Sequence, residues 1–139
     1  MTIFYVDNAL QGAGDHSTPG NAGQFSAVWA KVGPADEVEV ADGTNGDGKY
    51  QGDANMMHPT LINGSDGSPI IVRALNDGAP WIDGEEARVP GEIRGCTWMN
   101  FAGIDFGKGR TGGSAQSTLK IARDATTRST DLRITRCCA

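Results

Sequence analysis

The sequence predicts an all-β fold, a short parallel β-helix (solenoid) closed on its N-terminal side by one capping helix. An apolar doublet with one residue between its members, Val38/Val40, returns as Ile70/Val72, Met99/Phe101 and Leu132/Ile134. The steps are 32 residues (38 to 70), 29 (70 to 99) and 33 (99 to 132). Recurrence near thirty, with alternation inside each repeat and Gly, Asn and Asp between repeats, describes one short strand plus turns. Such a unit cannot bury its apolar side alone and must stack on its neighbours. The apolar runs are also short and separated by bends, which suits a β-helix better than a sandwich, whose strands run to roughly five or six residues with hairpin turns every 8 to 12. Composition agrees: 20 glycines and 6% aromatic residues in 139 mark a turn-rich chain, and 38% hydrophobic content suffices for a globular core.

The elements follow in order. Residues 3–6 alternate weakly as a first strand and break into a polar Gly/Ser/Pro loop at 8–20. Phe25, Val28, Trp29 and Val32 then fall at i, i+3, i+4 and i+7, with Asn21 available as N-cap and Gly33-Pro34 as a stop. This is the one convincing helix, and it would cover the apolar cross-section of the first coil. Val38 and Val40 point inward from a strand over 37–41, with Glu37 and Glu39 outward. A long Gly/Asp/Asn loop occupies 42–55, and Leu61-Ile62 leads into a turn at 63–68. A strand over 69–74 places Ile70 and Val72 inside and Arg73 outside. Short strands follow at Trp81-Ile82, around Ile93, and at 98–101, 104–106, 119–122 and 132–135. The whole of 1–139 reads as a single domain, with strand, loop and cap over 1–36 and about four coils over 37–139.

A net charge of −5 argues against a nucleic-acid footprint, which needs clustered cations to neutralise phosphates. The Arg and Lys residues between Lys108 and Arg136 are interspersed with Asp124 and Asp131, a mixed solvated surface. No apolar stretch approaches the roughly 20 residues that span a bilayer, so no membrane partner is expected. The first residues, MTIFYVD, are strand-like and lack the regions of a secretory signal; the compartment is extracellular only if a signal was removed. Cys96, Cys137 and Cys138 have neither CxxC spacing nor an even count, so no zinc site or disulfide framework is implied. Cys96 is expected to pack or line a turn.

The segments FYVDNALQGAGDHSTPGN, FSAVWAKVGPADEVEVADGT, INGSDGSPIIVRALNDGAPWIDGE and IRGCTWMNFAGIDFGKG resemble the N-terminal coils of right-handed parallel β-helix proteins of the pectate-lyase-like superfamily. The resemblance covers nearly the whole chain and is best at 38–44 (VEVADGT) and 67–84 (GSPIIVRALNDGAPWIDG). It departs at Pro34-Ala35-Asp36, where the family commonly has a Pro-Gly-Asp turn. It implies a right-handed solenoid and extracellular acidic or neutral polysaccharide as ligand class, with β-elimination in many members and hydrolysis or binding in others. Elimination needs a base near the sugar C5 proton and a cation to stabilise the enolate. The family's catalytic groups lie on middle coils of a longer helix, so no catalytic residue is carried over.

Individual motifs are weighed against plainer readings. Residues 44–50, TNGDGKY, resemble the middle of an EF-hand loop, but Gly43 and Ala54 stand where the first ligand and the bidentate Glu belong. Calcium at the loop between Asp42 and Asp53 is therefore the one cofactor suggested, against a plain loop as the favoured reading; no other metal or cofactor is expected. Residues 107–112 match GxGxxG after a strand, but the following residues read as another strand and not the required helix. Trp81 and Trp98 neighbour inward residues and by parity face out, where an indole can stack on a sugar ring. Arg73, Arg94, Lys108 and Arg110 are candidate partners for an acidic glycan, with Asp83 and Asp105 as acid or base groups. For each, a solvated side chain or local ion pair is the plainer reading. His16 and His58 sit in loops and nothing marks either as a base. Asn63-Gly64-Ser65 is a formal glycosylation sequon.

The function expected is a carbohydrate-related, polysaccharide-binding β-helix module without complete catalytic machinery in this chain. The alternative is a structural or assembly protein, such as a phage or mobile-element product, that oligomerises through an open solenoid end. A polysaccharide lyase fragment is the third reading. A pattern stopping after Ile134 would expose an apolar cross-section, which predicts either further coils or a homo-oligomer joined at that end. The absence of a secretory signal favours assembly; the resemblance and the two tryptophans favour carbohydrate.

Overall fold

The computed structural model describes residues 1–107 and 118–137. Its strands are β1 (Ile3–Val6), β2 (Glu37–Val40), β3 (Lys49–Tyr50), β4 (Ile70–Ala74), β5 (Trp81–Asp83), β6 (Gly91–Arg94), β7 (Thr97–Ala102), β8 (Asp105–Gly107), β9 (Leu119–Ala122) and β10 (Thr130–Thr135). They form three sheets of five, three and two strands, ordered β1-β2-β4-β7-β10, β3-β5-β8 and β6-β9. Every pairing between these strands is parallel. The chain is a β-solenoid of about four turns. Because each strand ends in a bend, its backbone donors and acceptors are satisfied by the coils before and after it, where an antiparallel fold would use a hairpin partner.

Stacked side chains make the core. On the first sheet Phe4, Val38, Val72, Phe101 and Ile134 occupy one inward ladder, with Ile70, Met99 and Leu132 in the next. The predicted doublets face inward, but their first register differs. Val38 lies opposite Val72, not Ile70, so that step is 34 residues (38 to 72). Side chains alternate with period two, so an offset of two residues preserves which face is buried and is invisible to an inside/outside pattern.

The cap is smaller than the spacing suggested. The helix α1 spans only Phe25–Val28, and Gln24, not Asn21, precedes it as N-cap. The Asn21 side chain is used in the preceding loop, where its Oδ1 accepts from the Ala13 amide at 3.1 Å and its Nδ2 donates to Ser17 Oγ at 3.4 Å. The predicted apolar stripe nevertheless packs inward: Phe25 and Val28 are fully buried, Trp29 nearly so, and Val32 lies against the core. Phe25 and Trp29 stack with centroids 5.9 Å apart.

One strand lies inside the predicted loop over 42–55. Tyr50, on β3, starts the inward ladder Tyr50, Ile82, Phe106 of the second sheet. Its hydroxyl sits 2.8 Å from the Ala41 carbonyl oxygen and 3.3 Å from that of Val6. Burial, reinforced by Asp7 and Asp42, pushes this phenol far above its usual range, so it stays a neutral donor. The third side of the same coil lies past Asn55, where single parallel bridges join Met57 to Gly91, Thr60 to Arg94 and Asn63 to Thr97. Cys96 packs as expected; its buried thiol donates toward the Pro59 carbonyl at 3.3 Å, and burial raises its pKa.

Candidate functional site

The predicted glycan-binding residues are divided among the three sheets. Arg73 stands on β4 of the five-stranded sheet, Trp81 on β5 of the three-stranded sheet and Arg94 on β6 of the two-stranded sheet. Trp98 belongs to β7; Lys108 and Arg110 lie outside the described residues. Trp81 faces out, as parity requires, and is 37% exposed. The Lys49 ammonium sits 5.2 Å from its ring centroid. Across the next coil the indole closes over Gly107, where an added Cβ would come within 2.2 Å of Nε1. Trp98 is only half-buried and has left-handed backbone (φ +52°). It occupies the place in its coil that Asp131 (φ +55°) takes in the next, since Thr97 pairs with Thr130 and Met99 with Leu132. Alternation breaks at such a position, so parity alone does not place its side chain.

Arg73 and Arg94, the two predicted arginines that are described, are both paired. Arg94 Nη2 donates to Glu92 Oε1 at 2.5 Å, and Lys120 Nζ lies 3.2 Å from the same oxygen. Burial opposes ionisation of Glu92, but these two donors prevail and hold its pKa below the usual carboxylate value. Arg73 bridges two carboxylates of the neighbouring strand: Nε donates to Glu37, and Nη2 to Glu39 Oε2 at 2.8 Å. Asp83 is fully buried on β5 and accepts from Gln51 Nε2 at 3.1 Å and the Glu85 amide at 2.8 Å. Those contacts give it a structural use.

The carboxylates of the 42–53 loop are engaged in different directions. Asp42 accepts from Asn76 Nδ2 at 2.7 Å, Asp47 pairs with Lys49 at 2.8 Å, and Asp53 pairs with Arg88 at 2.5 Å. Among the described residues no three His, Cys, Asp or Glu side chains are grouped to hold a metal ion. The loop is fastened to the first coil instead. Asp7 accepts from the Thr44 amide at 3.0 Å and its hydroxyl at 2.5 Å, while Asn8 Nδ2 donates to the carbonyls of Asn45 and Lys49 at 2.7 and 3.1 Å.

One surface does bring functional groups together. Outward on the five-stranded sheet, Tyr5, Glu39, Arg73, Ala102 and Thr135 stand opposite one another on successive strands. Two concavities flank this row. One, of about 170 Å³, is walled by Tyr5, Asp7, Pro19, Glu39 and Thr44; the other, of about 490 Å³, by Arg73, Asn76, Asp77, Ala102 and Arg136. Leu75, 53% exposed, lines both, so the two concavities adjoin there and are together termed a groove. Arg136 and Asp77 pair across its far part at 2.5 Å. Of the predicted residues that are described, only Arg73 lines it. Tyr5, Leu75 and Arg136 carry no motif; the usable signal was that outward positions of one strand recur in register in the next coil.

No protein-family model matches this chain, and a search of curated proteins returns no significant match.

Proposed function

We propose that this chain is a carbohydrate-related β-solenoid module of the pectate-lyase-like type, which binds an extended polysaccharide along the outer face of the five-stranded sheet and lacks complete catalytic machinery. The observation that carries this reading is the groove itself. It takes residues from successive coils, from Tyr5 on β1 to Arg136 just past β10. Five strands at about 4.8 Å per step give it a length of roughly 19 Å, suited to several units of a linear polymer. Its lining alternates apolar contact, from Tyr5 and Leu75, with hydrogen-bonding edges, from Arg73, Asn76 and Asp77. Sugars present the same alternation of CH faces and hydroxyls. Elimination chemistry would need a base and a cation for the enolate. Both groove arginines are held by carboxylates and no described histidine lines the groove, which favours binding over cleavage.

Affinity electrophoresis through gels containing neutral or acidic polysaccharides tests the reading. At least one polymer should retard the protein, and Leu75→Asp should weaken that retardation about fivefold or more, the loss of roughly one kcal/mol of contact. Trp81→Ala, on another sheet, should leave it unchanged. Retardation by no polymer, or loss through Trp81→Ala alone, would overturn it.

A second reading, assembly through the solenoid end, is favoured by a different observation. Ile93 is fully buried, yet its register partner Ile121 is 53% exposed. Likewise Met99 and Phe101 are buried at 0% and 1%, while Leu132 and Ile134 one coil later are only partly covered.

A further inference from the structure

We infer that the polymer taken by this groove is uncharged, a chain of neutral sugars and not a polyuronate; the inference rests on the glycan-binding reading of the same groove. The described charged groups that line it are three carboxylates, on Asp7, Glu39 and Asp77, against two guanidinium groups, on Arg73 and Arg136, with Glu37 beside it as a second partner of Arg73. Each guanidinium is already committed: Arg73 to Glu37 and Glu39, Arg136 to Asp77.

A uronate carboxylate entering the row would meet Arg73 with its charge already opposed by two carboxylates, so it would gain little from the pairing. Glu37 is only 9% exposed, and its contact with Arg73 is what balances its buried charge. Drawing that cation away from Glu37 to strengthen the new pairing would leave an ionised carboxylate in a site poorly reached by water. The incoming carboxylate would also meet Glu39 and Asp77 as like charges. Hydroxyl groups make no such demand. The Arg73 side chain is 43% exposed and uses only two of its five N–H donors on Glu37 and Glu39. The remaining donors can meet sugar oxygens, while Asp77 and Asn76 accept from sugar hydroxyls, with every ion pair kept. Asp7 completes the wall with both oxygens already engaged, since Asn8 and Thr44 direct three hydrogen bonds to them.

The test compares a soluble β-glucan, a galactan and polygalacturonate as ligands in calcium-free buffer at low and high salt, using the full chain and the Glu39→Gln and Leu75→Asp variants. A neutral polymer should bind with a Kd that changes less than about twofold with salt, because no net charge is neutralised on binding. Polygalacturonate should bind about tenfold more weakly or worse. Glu39→Gln relieves Arg73 of one partner, and should improve polygalacturonate binding about threefold at low salt relative to the neutral polymer. If polygalacturonate binds more tightly than either neutral polymer, loses affinity in high salt and is lost in Leu75→Asp, the groove is a glycan site and the inference about its ligand is wrong. If no polymer binds at either salt, the glycan-binding reading falls, and this inference with it.

Discussion

His16 shows how much a single side chain can impose. It lies in the loop between β1 and α1, fully buried, with left-handed backbone (φ +68°). Nδ1 is 3.0 Å from the Tyr5 carbonyl oxygen, and since a carbonyl only accepts, Nδ1 carries the proton. That leaves Nε2 as a buried lone pair with no partner. The ring presses on Gly23, where a Cβ would come within 2.3 Å of it. Burial lowers the His16 pKa first; Lys31 lowers it further, while the Tyr5 hydrogen bond and Asp15 act in the opposite sense. These are the charged groups that face it. The folded state therefore prefers neutral His16, and this contribution to stability is complete above the unfolded value of about 6.5 and is lost as pH falls through the lowered folded pKa. Melting temperature should fall between about pH 7 and pH 5, and His16→Asn, which tolerates the left-handed backbone, should flatten that fall. Equal slopes for the two proteins would show that His16 is not the group responsible.

At the level of elements, the loop between β2 and β3 is shaped by glycine conformation. Gly43 has φ +93° and faces the backbone of Gly48, whose carbonyl oxygen would be 2.0 Å from an added Cβ. Gly46, at φ +60° in the same loop, has open space around it. Gly43→Ala should thus cost about 1–3 kcal/mol or more, through backbone strain and a collision that no rotamer relieves. Gly46→Ala should cost only the left-handed penalty of about 1–2 kcal/mol. Urea denaturation of the two variants checks this; an equal loss would mean that the close approach to Gly48 contributes nothing. The Asp, Asn and Gly residues of the same loop have a structural use. Those residues provide side-chain acceptors and left-handed turns, and here Asp7 and Asn8 recruit both to fasten one coil to the next.

For the whole molecule, burial is uneven along the solenoid axis. The inward ladders are sealed at the N-terminal side by Phe25, Val28 and Trp29, while the last described rung leaves Ile121, Leu132 and Ile134 with reduced cover. Under the assembly reading a second copy covers this end, and a two-fold contact closes there without propagating a fibre. Light scattering under reducing conditions across a dilution series should then show a dimer, and Ile121→Glu should return it to a monomer by burying an unpaired charge in the contact. A monomer at every concentration would remove that reading and leave the glycan groove unaffected.

The repeat, the alternation and the turn residues determined the solenoid, the inward ladders and the apolar stripe of the cap, because burial in a coil is a local property of every second side chain. They also located most strands, such as β5 at Trp81 and β9 at Leu119. Three matters were decided only in three dimensions. The two-residue offset between Val38 and Ile70 is silent in an alternating pattern, β3 is too short to announce itself, and α1 starts only at Phe25, with the Asn21 side chain used in the loop before it. The candidate site was the least legible part. Arg73, Trp81 and Arg94 are close in sequence yet fall on different sheets, whereas Tyr5, Arg73 and Arg136 are far apart and share one groove. A solenoid brings together residues about one coil apart and separates those a bend apart, so convergence on its surface depends on inter-coil register and bend position, which the tertiary structure sets.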